Sequence, residues 1–89
     1  MAKQIVPEEL CSYIEALQYE VNARKDLCAF MIDHSMMDSP QFERYHKEYI
    51  ECNIKYNAAK DQLTKMFNVK GPWNLEFETR ELTYEDEAQ

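Results

Sequence analysis

The stretch SPQFERYHKEYIECNIKYNAAKDQLTKMFNV, residues 39–69, decides the fold of this chain. Uncharged residues recur in it at alternating steps of three and four, at Phe42, Tyr45, Tyr49, Cys52, Tyr56, Ala59, Leu63 and Met66. A seven-residue repeat of this kind is typical of the seam by which one long α-helix packs along another. Ser39 or Asp38 is suited to cap this helix, with Pro40 in its first turn, so we predict a helix over about residues 39–69.

A matching helix is predicted upstream, over about residues 7–35. Pro7 is tolerated in a first helical turn, and the acidic Glu8 and Glu9 that follow interact favourably with the positive end of the helix dipole. The same repeat then runs through Leu10, Ile14, Leu17, Val21, Arg24, Cys28 and Met31. Because only a short link joins the two helices, we expect a long, coiled-coil-like antiparallel hairpin.

Arg24 is the one charged residue in the first seam, and its role has three interpretations. Its alkyl stem packs in the seam while its guanidinium reaches water, or it forms a buried ion pair with a glutamate such as Glu20, Glu48 or Glu51. In the third interpretation it contacts a partner chain.

In the segment after the second helix, apolar residues recur with a period of two, as in a β-strand. Lys70-Gly71-Pro72 is predicted to end the helix, with Gly71 in the left-handed conformation that helix ends favour. Apolar residues then alternate with polar ones, and their parity changes midway: Trp73, Leu75 and Phe77, then Leu82 and Tyr84. A two-residue turn at Thr79-Arg80 accounts for the change, because it places Phe77 opposite Leu82 and Leu75 opposite Tyr84 on one face.

We therefore predict a mainly α fold, in which a long antiparallel two-helix hairpin is followed by a short C-terminal β-hairpin. The β-ribbon is expected over about residues 73–85, with an acidic tail at residues 85–89. The whole chain, residues 1–89, is expected to form a single small domain.

The charge balance is acidic, with 17 Asp and Glu against 10 Lys and Arg. The excess is concentrated at the C-terminal end, which we predict to be an acidic surface made of Glu76, Glu78, Glu81, Glu85, Asp86 and Glu87. Such a surface disfavours direct binding to nucleic acid or to an anionic membrane, because phosphate recognition depends on Lys and Arg. It either keeps the domain soluble or meets a basic protein surface.

No apolar segment is long enough to cross a bilayer, and the N-terminal residues lack the pattern of a signal peptide. The three cysteines, an odd number without a close pair, fit reduced thiols better than a disulfide framework. We therefore expect a cytoplasmic protein that does not associate with membranes.

Catalysis, metal binding and cofactors are not expected. The cysteines and the two histidines lack metal-ligand spacing; they are Cys11, Cys28, Cys52, His34 and His46. The run Asp33-His34-Ser35 is not a credible catalytic triad, since triads are assembled in space around an oxyanion hole.

The expected function is a non-catalytic protein–protein interaction module, an adaptor or accessory subunit that forms a homodimer. Its partner-binding residues would be the apolar side chains that a two-helix seam does not need: Tyr13, Leu27, Phe30, Met36, Met37, Trp73, Leu75 and Phe77. The alternative is a small acidic inhibitor that mimics phosphates and occupies the basic groove of a nucleic-acid-binding enzyme or of a toxin.

Overall fold

The computed structural model of the protein describes residues 2–85 and is mainly helical. Two long helices, α1 (Glu8–Asp33) and α2 (Pro40–Met66), pack as a hairpin. Three short strands accompany them: β1 (Ala2–Ile5), β2 (Trp73–Glu76) and β3 (Glu81–Tyr84). The predicted helical hairpin followed by an antiparallel β-hairpin is confirmed.

The buried side chains of the two helices lie on the predicted seams, with the exception of Cys11, which was not predicted there. On α1 they are Leu10, Cys11, Ile14, Leu17, Val21, Cys28 and Met31, and on α2 they are Cys52, Ala59 and Leu63. Phe42 and the three seam tyrosines of α2 are half-buried, and Met66 at the end of α2 is 50% exposed. A large apolar side chain buried at such positions stabilises the fold by about 1.5–3 kcal/mol.

The described chain divides into two compact units. The first, here the link unit, is Ala16–Asn57 and contains the connection between the helices. The second, here the sheet unit, consists of the described parts of Met1–Glu15 and Ala58–Gln89.

Hydrogen bonds order the connection inside the link unit. The end of α1 forms a Schellman motif, in which Met36 N–H donates to Met31 C=O at 2.8 Å and Ser35 N–H donates to Ile32 C=O at 3.1 Å. Ser35 takes the left-handed conformation, with φ of 58°. The predicted cap of α2 is present, because Ser39 Oγ accepts from Phe42 N–H at 3.1 Å and Pro40 is the first helical residue.

A three-stranded antiparallel sheet lies in the sheet unit, with strand order β1-β3-β2. Strand β1 pairs with β3 from Ala2↔Tyr84 to Ile5↔Glu81, and the sequence reasoning did not anticipate it. Leu82 on the central strand is fully buried, as is Val6, whose N–H donates to Arg80 C=O at 2.9 Å. The third strand gives the predicted β-ribbon the extra partner that an isolated two-stranded ribbon lacks.

The predicted register of the β-hairpin was wrong by two residues. Leu75 lies opposite Leu82, and Trp73 lies opposite Tyr84. The connection is therefore the four residues 77–80, where Arg80 has φ of 62°, and not a two-residue turn at Thr79-Arg80. Two-residue hairpin loops need residues that accept positive φ at the turn centre, and a Thr-Arg pair is poorly suited to them. Since the slip is two residues, the side chains keep their faces.

The end of α2 also differs from the prediction. Asn68, with φ of 55°, provides the left-handed residue, and Gly71 does not have positive φ. Val69 N–H donates to Thr64 C=O at 2.8 Å, which forms a second Schellman motif and ends the helix before Lys70-Gly71-Pro72. Asparagine tolerates this conformation better than most residues, so the helix stops at Met66, the last residue of the seam and three residues before the predicted end at residue 69.

Candidate functional site

The link unit exposes more large apolar side chains than it buries. Those exposed are Tyr19, Leu27, Phe30, Ile32, Met36, Met37, Ile50 and Ile54, whereas the buried apolar residues are Leu17, Val21, Cys28, Met31 and Cys52. Single exposed apolar residues are ordinary in soluble proteins. The link unit, however, exposes eight large apolar side chains in 42 residues and buries only five apolar residues, so much of its apolar surface lies outside its own core. This apolar surface is the main candidate for a functional site.

The predicted partner-binding residues of the link unit all belong to this exposed set. Leu27 is 38% exposed, Phe30 54%, Met36 41% and Met37 54%. Met36 also has a structural role, because it follows the left-handed residue of the Schellman motif, where an apolar side chain commonly contacts the preceding helical turn.

The Phe30 ring is held in place. It stacks on the His34 ring, with centroids 4.1 Å apart, and His34 Nδ1–H donates to Phe30 C=O at 2.9 Å. A pre-ordered ring loses little rotamer freedom when a partner covers it, which favours its use in an interface.

The other predicted partner-binding residues lie in the sheet unit. Tyr13 is 50% exposed, whereas Trp73, Leu75 and Phe77 are half-buried. A shallow cleft of about 270 Å³ is lined by Pro72, Trp73, Asn74, Thr83, Tyr84 and Glu85. The ribbon therefore leaves part of its apolar surface accessible, and less than α1 does.

A polar cleft of about 170 Å³ lies on the link unit, lined by Glu20, Arg24, Glu48, Glu51, Cys52 and Lys55. Arg24 is half-buried, and within residues 2–85 it has no carboxylate within 4.0 Å. Of the interpretations open for Arg24, the buried ion pair is therefore absent among the described residues. The packed stem with an accessible guanidinium and the contact to a partner chain both remain.

Cys52 is buried beside this cleft, and its Sγ–H donates to Glu20 Oε2 at 3.7 Å. Burial raises the pKa of the Cys52 thiol, and the negative charge of Glu20 raises it further, against a smaller opposing effect of Arg24. The thiol is therefore kept protonated at neutral pH, which makes it a poor nucleophile.

A second cleft, of about 320 Å³, lies in the sheet unit and is lined by Glu8, Cys11, Ser12, Glu15, Phe77, Glu78 and Arg80. The Cys11 thiol is buried and contacts the Phe77 carbonyl oxygen at 3.9 Å. Burial raises the pKa of Cys11, the Glu15 carboxylate adds to the shift, and Arg80 opposes it. Neither cleft therefore presents an activated thiol.

The predicted acidic surface is only partly described. Glu76, Glu78 and Glu85 are exposed, and Glu81 is half-buried with one oxygen 3.9 Å from Lys3 Nζ. Asp86 and Glu87 lie outside the described residues. The Lys3–Glu81 pair is solvent-accessible, so it contributes little to stability.

No group of three or more His, Cys, Asp or Glu side chains among residues 2–85 is arranged to hold a metal ion. The Asp33-His34-Ser35 run lies at the end of α1, where His34 is occupied with Phe30 and Ser35 closes the helix. The expectation that the protein needs no metal, cofactor or catalytic residue stays a prediction.

Four exposed apolar residues of the link unit were not among the predicted partner-binding residues: Tyr19, Ile32, Ile50 and Ile54. Ile50 and Ile54 were detectable, because they are four residues apart on α2 and both lie off its seam. Tyr19 was detectable from the alanines that flank it on α1 at steps of three and four, Ala16 and Ala23.

Neither of the two helices, within the part of the chain that the structure describes, has an apolar segment long enough to cross a membrane. Comparison with known proteins found no matching family model, no matching curated protein and no matching solved structure.

Proposed function

We propose that this chain is a non-catalytic protein–protein interaction module, an adaptor or accessory subunit, that associates with a second copy of itself through the exposed apolar side chains of its helical hairpin. The observation that carries the proposal is the composition of the link unit, which exposes eight large apolar side chains and buries five apolar ones. Covering such side chains is favourable by roughly 25 cal/mol per Å² of apolar surface removed from water.

The chemistry of the two clefts that contain cysteines, the polar cleft beside Cys52 and the cleft beside Cys11, supports a binding role over a catalytic one. Their cysteines are protonated and buried, with pKa values raised by desolvation and by neighbouring carboxylates. An enzyme of this size would need an activated group in a pocket that excludes water, and these two clefts supply neither.

The proposal is tested by measuring the molar mass of the full chain by sedimentation equilibrium over a wide range of concentrations. We expect the mass to rise from 10.7 kDa toward twice that value as the concentration increases. A mass that stays at the monomer value at the highest attainable concentration would contradict self-association.

A matched pair of variants links that association to the apolar surface. Leu27→Ser with Phe30→Ser should weaken the dimer at least tenfold, because it removes two exposed apolar side chains, each worth at least about 1 kcal/mol when covered. Lys47→Ser with Lys65→Ser changes two exposed charged residues of α2 and should leave the dimer nearly unchanged.

A further inference from the structure

The geometry points to the surface by which two copies meet: an antiparallel pairing of α1 with α1 of the second copy, centred on Ala23. This inference rests on the proposed self-association and specifies its interface. The surface consists of Ala16, Tyr19, Ala23, Leu27 and Phe30, here called the second seam, all of which are exposed. It lies wholly within the link unit.

The second seam has the spacing of a helix-packing surface. Its residues follow one another at steps of three, four, four and three, so they form one stripe roughly a third of a turn around α1 from the buried seam. No charged residue falls on the stripe between Ala16 and Phe30. Tyr19 is 71% exposed and Phe30 54%, so the stripe carries large apolar surface that its own chain leaves uncovered.

When the second seam is paired with an antiparallel copy of itself, large side chains at its ends face small ones. In an antiparallel pairing centred on Ala23, residues whose numbers sum to about 46 face each other. Ala16 then faces Phe30 of the second copy, Tyr19 faces Leu27, and Ala23 faces Ala23. A large ring meets a methyl group at each end, and two methyl groups at the centre let the backbones approach closely, as interdigitated packing requires.

The charges beside the second seam are complementary in the same arrangement. Glu20 and Arg24 lie on the flank of α1 that borders the polar cleft, and neither has an ion-pair partner within 4.0 Å among residues 2–85. In the antiparallel pairing, Glu20 of each copy is offset from Arg24 of the other by only about 3 Å along the helix axis. The dimer would therefore contain two ion pairs related by the two-fold axis, each between Glu20 of one copy and Arg24 of the other.

A second copy is therefore the occupant that fits best. A two-fold interface requires a patch that complements itself after rotation, and the second seam does so in size and in charge. A surface that binds a different protein has to complement that protein and not itself. Such a surface has no reason to carry sizes and charges that match their own reversed order.

Mixing two charge-reversed variants tests the pairing. Glu20→Arg alone and Arg24→Glu alone each place like charges across the interface, so each should weaken the dimer roughly tenfold. An equimolar mixture of the two restores both opposite-charge pairs in the heterodimer, so sedimentation of the mixture should recover association close to that of the native chain. Circular dichroism of each variant, with native helix content, separates this effect from misfolding.

A cysteine at the proposed two-fold axis gives an independent measurement. Ala23→Cys should form a disulfide-linked dimer under mild oxidation, because the two sulfurs face each other, whereas Cys11, Cys28 and Cys52 are buried. Lys47→Cys is the matched control, since Lys47 is also exposed but belongs to α2 and not to the second seam of α1. It should cross-link far more slowly.

The outcomes separate this inference from the proposed function. If the native chain associates, but the mixed variants do not recover and Ala23→Cys cross-links no faster than Lys47→Cys, the second seam is not the interface and self-association uses another surface. If the native chain is monomeric at all concentrations, both the inference and the proposed function fail.

Discussion

At the scale of single residues, the ends of the helices depend on backbone conformations that most side chains disfavour. Ser35 and Asn68 each adopt positive φ, at 58° and 55°, and each is followed by the hydrogen bonds of a Schellman motif. The chain's one glycine, Gly71, sits at neither position. Ser35 therefore carries conformational strain that a residue without a Cβ would relieve.

Ser35→Gly is predicted to raise the free energy of unfolding by about 0.5–1 kcal/mol, because glycine adopts the left-handed conformation without steric cost. The same substitution in the body of α1, Ser12→Gly, should instead lower the free energy of unfolding by about 0.5 kcal/mol, because glycine is a poor helix former. Urea unfolding of both variants measures the difference. Equal effects of the two substitutions would show that Ser35 is not strained.

The cysteines illustrate how a local environment decides chemistry. Their spacing already argued against a metal site, and burial makes them small apolar core residues, as the sequence suggested. The raised pKa values of Cys11 and Cys52 have a physical cause that no spacing rule supplies: desolvation together with the carboxylates of Glu15 and Glu20.

At the scale of elements, the sheet depends on its central strand. Strand β3 pairs with β1 on one side and β2 on the other, so every N–H along it faces a neighbouring strand. The outer strands have half of their N–H groups turned away from the sheet. A loss of one backbone donor therefore costs more in β3 than in either outer strand.

Thr83→Pro is predicted to lower the free energy of unfolding by about 2 kcal/mol more than Thr83→Ala, because it also removes an N–H from the ladder and leaves a carbonyl without its donor. Thr83 lies opposite both Lys3 and Asn74, so the loss affects the middle of the sheet. Denaturant unfolding followed by Trp73 fluorescence and by circular dichroism makes the comparison. If the two variants unfold at the same denaturant concentration, β3 is not central to stability.

At the scale of the whole chain, both compact units contain a buried thiol whose pKa is raised, Cys11 in the sheet unit and Cys52 in the link unit. Folding therefore favours the protonated thiols. Below the ordinary thiol pKa the unfolded chain is protonated as well, and the stabilisation is fully present. As the pH rises above that value, the unfolded chain releases its thiol protons first, so unfolding becomes easier until the folded thiols also titrate.

We therefore predict that the free energy of unfolding falls as the pH rises from neutral through the alkaline range. The double variant Cys11→Ala with Cys52→Ala is the control: it should be less stable at neutral pH, because methyl groups fill the two sites less well, but its stability should fall less steeply with pH. Urea unfolding at a series of pH values gives both slopes. Identical slopes would mean that these thiols do not contribute to the pH dependence.

The two helices and the cap at Ser39 were predictable because they depend on neighbours three or four residues away. The periodic seam predicts which faces are buried, and residues such as Ile14 and Leu63 are indeed almost wholly inaccessible. The candidate site was predictable only in part. Leu27 and Phe30 fall outside the seam in the repeat, and the structure leaves them exposed, whereas the exposed Tyr19, Ile50 and Ile54 were not among the predicted binding residues.

Strand β1, the register of β2 on β3 and the accessible charges of Glu20 and Arg24 were decided by tertiary structure. Ala2–Ile5 is a short segment with no strong pattern, and it becomes a strand only because β3, about 80 residues away, offers unpaired hydrogen-bonding groups. A two-residue slip of a hairpin keeps every side chain on its face, so alternation alone leaves the register undecided, and the backbone of residues 77–80 settles it. Local periodicity reports which face a residue occupies, whereas pairing between distant segments depends on contacts that form only when the chain has folded.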